Sequence, residues 1–336
     1  MAPAVVCFGE VLLRLSPPAG SQLVRARALE MHFGGAEANV AAALASLGTP
    51  SRMVTALPDN ALGQAAKAAL GAAGVDTRYV CFAPGRLGLY FFEPPAGPRV
   101  GRVTYDRAGS VFSLATANLF AFGAALDGAD LLHVSGITPA LGPAGVELTR
   151  AAIAAANAAG VPVSFDGNYR GNLWQAWKSD PRAILLELIG EASILFGDHR
   201  DLTLLLGREI SGEGPDRRRQ AAEAAFAAFP KLRLLASTAR HIVDAGHHRL
   251  AARVDTRDGD WQTDEIAVSG IVSRIGSGDA FAAGVLHRYL AHAPLRSVAE
   301  AGLALAAFKH GVAGDAIFAT EAELAEFRPD GADVRR

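Results

Sequence analysis

Short β-like runs and alanine-rich helical stretches alternate along most of this 336-residue chain, and that alternation limits the possible folds more than any single motif does. Val5–Phe8 reads as a strand, Ala36–Leu47 as a helix, Arg52–Ala56 as a strand and Leu62–Ala73 as a helix ended by Gly74. The rhythm resumes with strand Leu131–Val134, helix Ala144–Ala159 and strand Val161–Phe165. It continues through strand Ile194–Phe196, a helix around Ala221–Phe229 and strand Leu232–Ala236. Repetition of strand, helix and strand with glycine or proline at the joints predicts a mostly parallel sheet covered by helices. In such sheets ligands gather at the carboxyl ends of the strands, in the loops that follow.

Two segments, 11–33 and 86–108, break the rhythm: they alternate more strictly and carry Pro-Gly turns. They read as hairpin strands that can pair into a small sheet over the strand ends, a lid. After Thr320, E-A-E-L-A-E-F reads as a short terminal helix followed by a polar end.

Composition narrows the class. Half of the residues are hydrophobic (50%) and 20% charged, enough to bury a large core. The net charge of −2 excludes the basic footprint of a nucleic-acid binder. Cys7 and Cys81 are too few for a disulfide framework and lack metal-ligand spacing, so buried free thiols are expected. Glu10 and Arg14 interrupt the first apolar run, which argues against a signal peptide, and no apolar run is long enough for a membrane helix. A cytoplasmic protein without nucleic-acid or membrane partners is expected.

The chemistry-bearing motifs fall at strand-to-helix joins. V-S-R-I-G-S-G-D-A-F-A-A-G at 272–284 is a turn that opens into an apolar helix. There Gly276, Ser277 and Gly278 can point backbone N–H groups outward, with Asp279 at the helix start. Such a turn suits an anion, a phosphoryl group for instance, beside a carboxylate that can accept a proton. An ordinary capped helix start has the same letters, and a carboxylate there is expected to have a low pKa. The turn is no dinucleotide fingerprint, because Phe281 stands where the third glycine would be, and the chain has no Walker A loop. Gly34 and Gly35 let a ligand approach the backbone closely, and Asn39 offers both donor and acceptor. Alone, that segment reads as a tight turn with Asn39 facing solvent. Asp166, Asn168 and Arg170 at a strand end are placed for a polar or anionic ligand. Asp198 and Asp201 can share one Mg²⁺ through water; an N-cap with a first-turn acid accounts for them nearly as well. His241, His247 and His248 beside Asp244 match no metal spacing and read as exposed histidines of a hairpin turn, and 216–219 (D-R-R-R) reads as a solvated helix start.

Taken together, the glycine pair at 34–39, D-G-N-Y-R at 166–170 and G-S-G-D-A-F-A-A-G at 276–284 resemble the ribokinase-like (PfkB) family of carbohydrate kinases over nearly the whole chain. Within it, G-L-Y-F-F-E at 88–93, V-T-Y-D-R-A-G-S at 103–110 and N-Y-R-G-N-L-W at 168–174 are most similar to the 2-keto-3-deoxygluconate kinases. The resemblance implies a single kinase domain over 1–336. Its fold would be a three-layer α/β/α with a mostly parallel central sheet and a small β-sheet lid. The implied reaction is phosphorylation of 2-keto-3-deoxygluconate on its terminal hydroxyl, with ATP and Mg²⁺. Fructokinase or another sugar kinase is the alternative within the family; a non-catalytic sugar-acid sensor is the alternative outside it.

Residue by residue, the resemblance makes Asp279 the base and the backbone of Gly276, Ser277 and Gly278 the anion hole. Gly34, Gly35 and Asn39 would hold sugar hydroxyls, and Tyr90, Tyr105 and Arg107 would reach in from the lid. Asn168 and Arg170 would complete the substrate side, Arg170 facing the carboxylate with its planar fork. Two guanidiniums facing an uncharged ligand would be desolvated for nothing, which favours an acid. Asp198, Ser237, Thr238 and Arg240 would line the nucleotide side with Gly276 and Gly278, and Asp198 and Asp201 would stand for the family's N-x-x-E motif near Mg²⁺. S-T-A-R at 237–240 replaces the family's usual nucleotide loop. Ser273 stands where related kinases often carry an Asp near a monovalent cation, so K⁺ dependence is left open. A homodimer formed through lid contacts, or a higher homo-oligomer, is also expected.

Overall fold

The computed structural model describes residues 3–18, 20–96, 99–211 and 214–328. In chain order its strands are β1 (Val5–Phe8), β2 (Leu12–Ser16), β3 (Glu30–Gly34), β4 (Ser51–Pro58), β5 (Val80–Ala83), β6 (Gly88–Glu93) and β7 (Arg102–Asp106). They continue as β8 (Leu131–Ser135), β9 (Val163–Asp166), β10 (Ile194–Phe196), β11 (Leu234–Ile242), β12 (His247–Asp255), β13 (Asp260–Gln262) and β14 (Ile266–Ser269). The large sheet runs β13-β12-β11-β10-β9-β8-β1-β4-β5, with β14 paired to β12. From β11 to β5 every pairing is parallel, while β12, β13 and β14 form an antiparallel margin.

Strand alternation builds a core on each face. Val5 and Cys7 of β1 point into one cluster, Val6 and Phe8 into the other; Leu234 and Ala236 of β11 likewise oppose Leu235. A parallel sheet buried on both faces needs apolar residues at both parities, which is why these strands read as continuous runs. On the first face the helices Ala36–Ser46, Ser277–Leu290 and Leu295–His310 pack closely. Alanine and glycine permit that approach. A Cβ on Gly284 would lie 2.5 Å from the carbonyl oxygen of Ala301, and one on Gly302 would lie 2.7 Å from the Phe281 ring. The second face carries Pro143–Ala158, Pro181–Ile189 and Gly214–Ala228.

The two segments that break the rhythm form a separate four-stranded sheet, β3-β2-β6-β7. Each segment is an antiparallel pair, and β2 and β6 join them in parallel. Leu12, Tyr90 and Phe92 give this sheet a small apolar face, against which Ile275 packs. Gly97 and Pro98, part of the turn expected between β6 and β7, lie outside the described residues, as does the polar end beyond 328.

Three expectations need correction. The strand expected to end at Ala236 runs on to Ile242, because residues 237–242 pair with β12 in an antiparallel hairpin. The 237–240 segment is therefore strand, not loop. His248 is not an exposed turn residue: it is 4% exposed, its ring edge-on to His310 at 5.6 Å, whereas His241 and His247 are exposed. Cys7 is buried, but Cys81 is only half-buried. No helix among the described residues is long and apolar enough to cross a membrane.

The glycine seam gives a direct test of packing. Gly284→Ala should push two helices apart and cost about 2 kcal/mol, as overpacked cores do. Urea denaturation of the variant against the parent reads this directly; an unchanged midpoint would show that the seam is looser than the geometry indicates.

Candidate active site

The carboxyl ends of β1, β9, β10 and β11 open into one cleft of about 780 Å³, roofed on one side by the small sheet. Its floor is the start of the helix Ser277–Leu290. Gly276 is the N-cap in the left-handed region (φ +82°), and a Cβ there would lie 1.8 Å from the Asp315 carbonyl oxygen. Only glycine satisfies both conditions. The Ser277 N–H turns back to the Arg274 carbonyl at 3.2 Å, closing the turn. The N–H groups of Gly276 and Gly278 make no backbone hydrogen bond among the described residues. The anion site expected from three N–H groups is thus narrower by one.

Asp279, in the first helical turn, accepts a 2.6 Å hydrogen bond from the Asn39 side-chain amide. Asn39 is buried, its own carbonyl oxygen facing the Gly35 N–H at 3.4 Å, so the solvent-facing reading of this residue does not hold. The expected low pKa of Asp279 does not hold either. Burial raises it to about 6, against the lowering effects of Asn39, Arg170 and Lys309. The helix dipole acts within the first turn and is worth less than the loss of water around a carboxylate at the bottom of a cleft.

Two more acids share this region. Glu37 accepts a 2.6 Å bond from the Ser135 hydroxyl, and burial raises its pKa to about 7. Asp166 accepts bonds from the backbone N–H and side-chain amide of Asn168; burial first, then the charge of Asp279, raises it to about 8. Three carboxyls in one pocket cannot all be charged cheaply, so protons are held in the group at neutral pH.

The cleft rim is positive. Arg170, Arg200, Arg240 and Arg274 all line it. The Arg240 pKa is lowered by burial and by the charges of Arg274 and Arg200, so these cations lie near one another at the cleft. Arg170 makes no ion pair among the described residues. Asp198 and Asp201 form a reciprocal capping box at the start of the helix His199–Leu206, and Asp198 also pairs with Arg200. The capping reading thus describes their present geometry.

Other expected site residues are distributed as follows. Gly35, Asn39, Tyr90, Tyr105, Arg107 and Asn168 line the cleft. Gly34 does not: it is turned against Asp315, whose carboxylate lies within 2.5 Å of where a Cβ would be. Ser237 is excluded too, since strand alternation in β11 sends Thr238, Arg240 and Ile242 into the cleft and Ser237 to the other face. Arg107 is buried and paired with Glu10, which also accepts from Ser110. Its charge is already compensated, so it no longer argues for an acidic ligand.

Several residues that line or support the cleft escaped sequence reasoning: Glu10, Arg14, Glu37, Arg274, Lys309 and Asp315. Glu10 and Arg14 did leave a signal, as charges interrupting an otherwise apolar strand region. Asp315 pairs with Arg14 at 2.7 Å and accepts a hydrogen bond from the Tyr90 hydroxyl.

Comparisons with known proteins bear on the family and the fold. A family model described as pfkB family carbohydrate kinase matches residues 2–322. The 2-dehydro-3-deoxygalactonokinase of Haloferax volcanii is 32% identical over 325 residues, 96% of each chain. A solved 2-dehydro-3-deoxygluconokinase from Thermotoga maritima superimposes with a TM-score of 0.92 at 32% identity, covering 97% of this chain and 98% of that one. A PfkB family carbohydrate kinase from Listeria grayi gives 0.89 at 34% identity over 96% and 98%. The chain belongs to the pfkB family of carbohydrate kinases, with the ribokinase-like α/β fold.

The turn at the cleft floor can be tested apart from any ligand. Gly276→Ala forces a left-handed backbone on alanine and drives its methyl into the Asp315 carbonyl. A loss of at least about 2 kcal/mol is expected in thermal or urea unfolding, together with loss of activity. A variant as stable as the parent would contradict the close contact.

Proposed function

We infer that this carbohydrate kinase transfers the terminal phosphoryl group of ATP to the end hydroxyl of a 2-keto-3-deoxy sugar acid, with 2-keto-3-deoxygluconate as the first choice. The observation that carries this reading is Asp279, held by Asn39 beside the unpaired N–H groups of Gly276 and Gly278. A carboxylate next to an anion site is what phosphorylation of an alcohol needs. The hydroxyl oxygen bonds to phosphorus as the bond to the departing ADP breaks, and the hydroxyl proton passes to Asp279. The two N–H groups would stabilise negative charge on the transferring group.

The nucleotide fits the rim lined by the cationic Arg240 and Arg274 and the hydroxyl-bearing Thr238. For Mg²⁺ the donor set suits a hydrated ion: Asp198 and Asp201 are engaged in their capping box, so they would hold it through water beside the phosphates. When bound, the ion would offset charge on those phosphates.

The acid assignment is supported by Arg170, a guanidinium without an ion-pair partner at the cleft, and by relatives named for keto-deoxy sugar acids. Tyr90 and Tyr105, 5.8 Å apart between ring centres, would close the substrate side from the small sheet and keep water from competing. All five residues of β7 are exposed, which supports the small sheet as a homodimer contact.

An ADP-release assay across 2-keto-3-deoxygluconate, 2-keto-3-deoxygalactonate, fructose and ribose tests the reading. Preference for fructose would replace it with a fructokinase, and tight binding of a sugar acid without turnover would make the protein a sensor. Asp279→Asn should lower kcat at least about 100-fold with nucleotide affinity nearly unchanged. Because the base works only when ionised, and its pKa is raised to about 6, kcat/KM should fall as pH drops through about 6. A profile flat down to pH 5 would show that Asp279 is not the titrating base.

A further inference from the structure

Lys309 takes no part in the mechanism above, yet its placement is unusual for a lysine. It sits in the last turn of the helix Leu295–His310 with 0% of its surface exposed. Its Nζ donates to the carbonyl oxygen of Val312 at 3.1 Å, at the start of the loop that carries Asp315. That loop is the support of the anion turn, since the Asp315 carbonyl abuts Gly276 and leaves it no room for a side chain. The Asp315 carboxylate meanwhile binds Arg14 of β2 and Tyr90 of β6.

A buried ammonium is expensive unless opposite charges answer it. The charged groups facing Lys309 are Asp315 from the loop and Asp279 from the helix Ser277–Leu290, both attractive, and Arg14 from β2, which repels. On its own helix the neighbour is His310, whose Nδ1 faces the Ala306 carbonyl. Arg14 already answers Asp315 directly. Asp279 is answered by the charge of Arg170 and, to a smaller extent, by that of Lys309, which adds a second positive charge from the helix Leu295–His310.

We propose that Lys309 is a positioning residue for phosphoryl transfer: its buried ammonium braces the 311–316 loop beneath Gly276 and, together with Arg170, offsets the charge of Asp279. This rests on the assignment of Asp279 as base. Burial lowers the Lys309 pKa to about 8, so the charge is lost at mildly alkaline pH. Asp279 would then lose a favourable partner, and its own pKa would rise.

The experiment is steady-state kinetics and thermal unfolding of Lys309→Met, which keeps the volume of the side chain. Lys309→Gln, which keeps a donor but no charge, is measured beside it, and serves alone if the methionine variant folds poorly. The expected result is a kcat reduced about 30-fold to 100-fold, with KM for both substrates within about threefold. The acid limb of the kcat profile should move to higher pH, and the melting temperature should fall, since the Val312 carbonyl loses its donor and the facing carboxylates lose a buried counter-charge. Wild-type kcat with an unmoved acid limb in a folded variant overturns the proposal, and so does a loss confined to KM. Asp279→Asn in the same assay separates the two claims. An inactive Asp279→Asn with a normal Lys309→Met removes only the inference about Lys309; turnover retained in Asp279→Asn removes the base assignment and this inference with it.

Discussion

The buried Asp315–Arg14 pair holds the architecture of the cleft together. One face of the four-stranded sheet carries three buried apolar residues, Leu12, Tyr90 and Phe92, and the other sends Leu13 into the main core, with Leu15, Phe33 and Leu89 packed against it. Apolar packing attaches it to the body, and charged groups set its position over the strand ends. Asp315 grips Arg14 and Tyr90 from two of its strands, and Glu10, just after β1, grips Arg107 at the end of β7. Such pairs recover much of their desolvation cost only when the geometry is close and additional donors are present, which both carboxylates have. Their value here is one of register: they set where Tyr90, Tyr105 and Arg107 stand relative to the floor.

Charge is distributed across the cleft in a graded way. Glu37, Asp166 and Asp279 are all raised by burial, with the charge of Arg170 acting on the last two, while Arg200 and Arg240 line the cleft after β10 and on β11. A polyanionic donor is drawn to the rim, and a polyhydroxylated acceptor finds hydrogen-bonding acids inside. In the proposed reaction, this distribution of charge would help one cavity take a donor and an acceptor side by side.

Much of this was legible in the sequence, for reasons that differ by element. The parallel strands were readable because burial on both faces makes them continuous apolar runs. The small sheet was readable because its segments alternate and end in turns. The G-S-G-D turn was visible because backbone geometry dictates its glycines. What could not be read was anything set by tertiary neighbours. Ser237 looked like a nucleotide contact until pairing with β12 extended β11 and fixed its parity. His248 looked exposed because no local pattern reveals that His310 lies against it. The Asp279 pKa was expected low from the helix alone, and burial reversed the sign. Arg107 seemed free for a substrate carboxylate, though its partner Glu10 lies far away in sequence.

The contact between Gly276 and the Asp315 carbonyl has a consequence for how such a chain can change over time. The anion turn takes its shape from a loop that begins only after another complete helix, so neither segment can be altered independently. An insertion or shortening in 311–316 would be felt at the Gly276 turn, the proposed phosphate site, without touching a single residue of the G-S-G-D signature. A chain could thus keep every letter of its signature and still lose the site. Inheritance of the activity depends on the two segments varying together.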